Sequence, residues 1–103
     1  MRNISLLVEY EGTDYAGWQA QTSLPTIQGT LEAAVKELTG EDVTVRGASR
    51  TDAGVHALGQ VACFTTCSSI PAGGVMPALN VILPDDIVIK EASDAPPEFD
   101  PRR

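Results

Sequence analysis

The order in which the hydrophobic period changes along this chain constrains its fold more than any other feature. In residues 3–10, Ile4, Leu6, Val8 and Tyr10 occupy every second position, the period of a strand with one buried face. Ile27, Leu31, Ala34, Val35 and Leu38 then recur three and four apart, the period of a helix with one apolar stripe. Pro25-Thr26 opens that helix with Thr26 as N-cap, and Gly40 closes it. Val43 and Val45 alternate into Gly47, which predicts a short second strand. Leu58, Gln60, Ala62 and Phe64 share one face of a third. Residues 68–74 break the pattern. Val75, Leu79 and Ile82 then mark a short second helix beginning near Val75, a start that leaves Pro77 in the first turn, where amides have no helical partner. Leu83-Pro84-Asp85-Asp86 ends it, and Ile87, Val88 and Ile89 predict a fourth strand. The order β-α-β-β-α-β is the ferredoxin-like split βαβ plan: an α+β domain with a four-stranded antiparallel sheet and two helices on one face. The other face must meet water, RNA or another domain, and is expected to expose an apolar patch.

At 103 residues the chain is one domain or a piece of a larger protein. Residues 1–94 read as the domain. Residues 95–103, with Pro96, Pro97 and Pro101, read as a proline-rich linker or extended tail. No apolar run reaches membrane-spanning length, and the first ten residues, which include Glu9, make a poor signal peptide, so a cytoplasmic protein is expected. Cys63 and Cys67 lie in one predicted strand about 13 Å apart. That is too far to bridge, so both read as buried, reduced thiols. His56 is the single histidine, and no metal site is expected. The net charge of −7 argues against a non-specific nucleic-acid binder but leaves room for a local basic cleft.

Between the second and third strands lies Arg50-Thr51-Asp52-Ala53-Gly54-Val55-His56-Ala57. Loops held by a rigid sheet are where binding and catalysis concentrate. An acid in a glycine-containing turn can simply form the turn. In an extended segment, however, Arg50 and Asp52 point the same way, so the guanidinium can reach the carboxylate and keep it ionised. An ionised carboxylate in a cleft can act as a nucleophile or a base. Gly54 supplies a positive φ or lets a ligand approach the backbone. His56 is either a structural hydrogen-bonder or a catalyst. Tyr15 and Trp18, in the loop after the first strand, can stack on a nucleobase or plug the end of the sheet.

Four stretches carry a resemblance. They are Tyr10-Glu11-Gly12-Thr13-Asp14-Tyr15-Ala16-Gly17-Trp18-Gln19, Thr26-Ile27-Gln28-Gly29-Thr30-Leu31-Glu32, residues 47–62 from Gly47 through Arg50-Thr51-Asp52 to Ala62, and Ala78-Leu79-Asn80 with Leu83-Pro84-Asp85-Asp86-Ile87. In family order and over nearly the whole chain, they resemble the N-terminal half of tRNA pseudouridine synthases of the TruA type. The resemblance implies an isomerase that converts uridine to pseudouridine in the anticodon stem-loop of tRNA, with neither metal nor organic cofactor. Asp52 falls on the family's essential aspartate. Arg50 falls on the arginine that pairs with it and helps hold the flipped nucleotide, with Thr51, Gly54 and His56 as supporting residues. Whether the aspartate attacks the sugar, attacks the base or removes a sugar proton stays open. The resemblance also implies a homodimer and a second half, absent here, that supplies further active-site residues. This chain is therefore expected to be an inactive N-terminal fragment. Ser49 stands where many relatives have glycine.

Two other classes share the fold. A non-catalytic ferredoxin-like RNA-binding module would carry aromatics on its central strands, where this chain offers only Tyr10 and Phe64. A protein-interaction module suits the acidic charge but leaves the Arg50–Asp52 loop unexplained. Fold alone does not choose among them.

Overall fold

The computed structural model describes residues 1–102 of the chain. Its elements run β1 (Arg2–Tyr10), α1 (Ile27–Thr39), β2 (Arg46–Gly47), β3 (Ala57–Thr66), α2 (Ala72–Ile82) and β4 (Ile87–Ala95). The sheet order is β2-β3-β1-β4 and every neighbouring pair is antiparallel. This is the α+β, ferredoxin-like arrangement that the hydrophobic periods predict. Ile4 pairs with Phe64 and Leu6 with Ala62 across β1 and β3, so their side chains share a face. That face joins Ile87 and Ile89 to Ile27, Leu31, Val35, Val75 and Leu79 of the helices in one core, all at most 3% exposed. Burying each large apolar side chain contributes about 1.5–3 kcal/mol.

Local chemistry explains the helix ends. The Thr26 hydroxyl accepts the Gly29 amide at 3.1 Å, and Gly40 adopts φ +79° at the C-terminus of α1, where a left-handed residue ends the helix without a Cβ clash. The second helix begins three residues before Val75, at Ala72, so Pro77 sits in the second turn rather than the first. Its missing amide frees the carbonyl of Gly73, and both residues are exposed, so water can satisfy that oxygen.

Three other expectations are corrected. The second strand is shorter than the Val43–Gly47 alternation suggests. The Val45 amide donates to the Glu32 carboxylate at 2.9 Å, and its carbonyl accepts from the Gln28 amide at 2.8 Å. Side chains of α1 therefore take the groups a ladder would use. The fourth strand runs on to Ala95, well past Ile89, because backbone pairing with β1 continues after apolar alternation stops. Of the two cysteines, only Cys63 is buried; Cys67 lies just past β3 and is exposed.

The proline-rich segment is folded back rather than extended. The Asn3 side-chain amide donates to the carbonyls of Pro96 and Pro97 at 3.1 and 3.0 Å, the Phe99 amide closes a turn onto Pro96, and Pro101 is buried. The last residue of the expected 95–103 linker, Arg103, lies outside the described residues. This segment covers one end of the sheet face opposite the helices. The rest of that face is open around half-buried Leu7 and Val61, with Val88 42% exposed. Among the described residues no helix is long and apolar enough to cross a membrane.

Candidate active site

The loop from Ala48 to His56 leaves β2 and returns to β3, and its backbone is held at nearly every second residue. The Ala48 amide donates to Val61 at 2.8 Å, the last backbone rung beyond β2. Ser49 is then gripped by a side chain: Gln60 donates to its carbonyl at 2.6 Å and accepts from its amide at 3.3 Å. The Thr51 hydroxyl meets the Tyr10 hydroxyl at 2.8 Å, and its carbonyl accepts the Trp18 amide at 2.9 Å. Gly54, at φ +78°, donates to the Tyr15 carbonyl, and the Val55 amide closes a turn onto the Asp52 carbonyl. Nδ1 of His56 accepts the Gly12 amide at 2.8 Å. An accepting Nδ1 places the proton of neutral imidazole on Nε2. Ser49 and Thr51 are thus tied to the sheet, while Arg50 and Asp52, the alternate residues, are exposed.

The partner in this clasp is the loop after β1, residues 11–26. A Cβ on Gly12 would stand 2.0 Å from the Val55 carbonyl oxygen, and one on Gly17 2.7 Å from that of Thr51. Only glycine permits such an approach. Gly17 also accepts the Ile27 amide, so the start of α1 is tied to the same clasp. Tyr15 and Trp18 are buried and serve the scaffold rather than presenting faces to a base. Trp18 packs beneath Gly47, with its ring 6.3 Å from that of Tyr10. The Tyr15 hydroxyl donates to Asp86 at 2.6 Å. Burial first, and that bond second, push its ionisation above the usual tyrosine value, so it stays a donor at neutral pH.

The structure brings Arg50, Thr51, Asp52, Gly54 and His56 into one loop but does not pair Arg50 with Asp52: among the described residues no ion pair joins them. The expected i, i+2 contact requires extended backbone, and here a turn begins at Asp52. Both groups are solvated, and an exposed pair gains too little to hold them together. Thr51 and His56 support the loop through the bonds above. Gly54 supplies the positive φ expected of it and has open space beside it.

A cleft of about 750 Å³ adjoins the loop. One wall is Trp18, Arg46, Gly47, Ser49 and Arg50; the other is the folded-back segment, with Phe99 and Arg102. Sequence reasoning missed this second wall, and it missed Gly12, Gly17, Tyr10 and Gln60 as the clasp. The signals for the clasp were two glycines in a loop of turn chemistry and a glutamine on the core face of a strand. Arg46 donates to the Cys63 sulfur at 3.0 Å, and burial raises the thiol's ionisation more than that cation lowers it. Among the described residues no group of three or more His, Cys, Asp or Glu is placed to hold a metal ion.

A family model described as "tRNA pseudouridine synthase" matches residues 6–102. Among curated proteins, the tRNA pseudouridine synthase A of Acetivibrio thermocellus is 57% identical over 102 residues, covering 99% of this chain and 42% of that protein. The protein of the same name from Caldicellulosiruptor bescii is 56% identical over the same shares. That of Citrifermentans bemidjiense is 48% identical, with 41% of its length covered. The chain thus spans well under half the length of the curated relatives it matches.

Proposed function

The chain belongs to the tRNA pseudouridine synthase family, and from that membership we propose that it is the N-terminal part of an enzyme isomerising uridine to pseudouridine in the anticodon stem-loop of tRNA. The observation that carries the reading is the clasped loop: Ser49 and Thr51 are tied down, and between and beyond them Arg50 and Asp52 stand free at the surface. A rigid support with two unengaged charged groups suits a substrate that arrives from outside the chain.

The isomerisation neither adds nor removes atoms. The bond from the sugar to a ring nitrogen breaks, the base turns, a bond to a ring carbon forms, the proton on that carbon leaves, and the nitrogen gains one. The protein must hold a base out of its stack, which costs about a few kcal/mol, and supply a group for covalent or proton chemistry. In this proposal Asp52 is that group, as nucleophile or base, and Arg50 holds the displaced nucleotide by its phosphate or in the space it vacates. Thr51, Gly54 and His56 keep the loop in shape. The domain that ends with β4 is then a catalytic domain, and the proline-rich segment after it leads toward a second half that completes the site. Homodimerisation and a cytoplasmic location belong to the same proposal.

The test is Asp52→Asn in the whole protein, with pseudouridine in tRNA read by carbodiimide labelling. The expected outcome is loss of product while tRNA binding stays within a few-fold, about 1 kcal/mol. Substantial turnover by that variant would remove Asp52 from the chemistry.

A further inference from the structure

Gln60 breaks the pattern of its own strand. It precedes Ala62 and Phe64, the alternate residues that β3 gives to the core, and it is only 5% exposed, whereas Leu58 before it is 79% exposed. A buried carboxamide is costly unless its hydrogen bonds are met. Here they are met by one residue. Its amide nitrogen donates to the Ser49 carbonyl at 2.6 Å, and its oxygen accepts the Ser49 amide at 3.3 Å. A carboxamide that exchanges both bonds with a backbone residue imitates a peptide group. The β2–β3 ladder ends with Gly47 paired to Ala62 and the Ala48 amide on Val61. The Gln60 side chain adds one more rung, at the residue before Arg50.

We propose that Gln60 is a positioning residue for Arg50 and Asp52: its side-chain rung fixes Ser49 and so sets where the chain leaves the sheet and how Arg50 and Asp52 meet the nucleotide. Tyr10 performs the matching task at Thr51, from the neighbouring strand. With Ser49 and Thr51 both fixed, the backbone on either side of Arg50 has little freedom. The role of Gln60 rests on the assignment of Arg50 and Asp52 to the reaction, whereas its hold on the loop does not.

The test uses Gln60→Leu and Gln60→Glu. In this chain, amide hydrogen exchange of residues 49–53 reads loop order and the thermal midpoint reads the fold. In the whole protein, kcat and KM for tRNA read the consequence. Gln60→Leu is expected to keep its midpoint within about 5 °C, speed exchange in the loop about tenfold or more, and lower kcat about 10–100-fold with less than about threefold change in KM. Gln60→Glu keeps an acceptor for the Ser49 amide but, when ionised, has no donor for its carbonyl. Protonation restores a donor, so loop exchange and kcat relative to the unsubstituted protein should both recover as pH falls. A merely space-filling glutamine would show no such recovery. If Gln60→Leu does not fold, the pH dependence of Gln60→Glu decides alone. Unchanged loop exchange in both variants, or a loosened loop with unchanged kcat, overturns the proposal. Failure of the unsubstituted whole protein to form pseudouridine refutes the family-based reading instead, and exchange then decides the anchoring by itself.

Discussion

At Gly17 the left-handed backbone, φ +92°, coincides with a close approach of the two loops, since a Cβ there would meet the Thr51 carbonyl oxygen at 2.7 Å. Gly17→Ala therefore combines backbone strain with a clash against main chain that cannot swing aside, and should cost about 1–3 kcal/mol. Gly54 provides the comparison, with a φ of +78° and nothing within 4 Å of the added carbon. Gly54→Ala should lose only the conformational part, about 1–2 kcal/mol. Denaturant unfolding of the two variants checks the first cost, and exchange at the Trp18 amide checks that the clasp, rather than the core, has opened. An equal cost for both, with the Trp18 amide still protected, would show that the approach at Gly17 is not tight. Residues of this kind mark the boundary of what the sequence discloses. The Arg50-Thr51-Asp52 run is visible as chemistry, and Gly54 as a turn. The absence of an ion pair is not visible, because it depends on a turn that begins at Asp52 and on solvent reaching both groups.

At the scale of elements, the periods at Ile4–Tyr10 and Ile27–Leu38 disclose β1 and α1 because each has one wet face and one dry one. Beyond Ile89, β4 is hidden: Lys90, Glu91, Ser93 and Asp94 are polar on both faces of an edge strand, and the register shift between Leu7 and Val8 disturbs the alternation. The start of β2 is hidden for a different reason, since long-range bonds from Gln28 and Glu32 occupy the backbone of Val45. Glu41, just after α1, makes a similar tie. Its carboxylate accepts the Thr66 hydroxyl and, at 2.9 Å, the Cys67 amide, which fastens the helix end to the end of β3. The Thr66 hydroxyl foremost, then the Cys67 amide, holds the ionisation of Glu41 below the usual 4.5. A depressed carboxylate contributes stability above its unfolded value and loses it as pH falls through the folded one. Glu41→Gln should therefore lower the thermal midpoint at neutral pH, and the gap from the unsubstituted chain should close as pH drops below about 4.5. A gap that persists in acid would mean that the charge of Glu41 is not what binds these elements.

For the whole molecule the relevant quantities are charge and extent. A net charge of −7 repels RNA at long range, so association must rest on a few local cations. The cleft beside the candidate loop offers Arg46, Arg50 and Arg102, set against Glu98 and Asp100 in the same walls. Three arginines neutralise at most three phosphates, so the log–log salt dependence of RNA binding by this chain should have a slope no steeper than about −3. The family members it matches are more than twice as long, and the open sheet face around Leu7 and Val61 is a surface such extra length could cover. The described core, by contrast, already encloses two helices on four strands and should form without further partners. The chain by itself is thus expected to unfold cooperatively, to bind tRNA weakly and with this shallow salt dependence, and to form no pseudouridine. Circular dichroism melting, a salt series of binding isotherms and carbodiimide labelling of tRNA incubated with the chain measure the three parts. Turnover near that of a full-length relative would show that one clasped loop, with Arg50 and Asp52 on it, is a complete active site, and the proposed contribution of a second half would fall. A steep salt dependence without turnover would instead place the RNA on a broader basic surface than the cleft provides, and would remove the cleft from substrate binding while leaving the clasp intact.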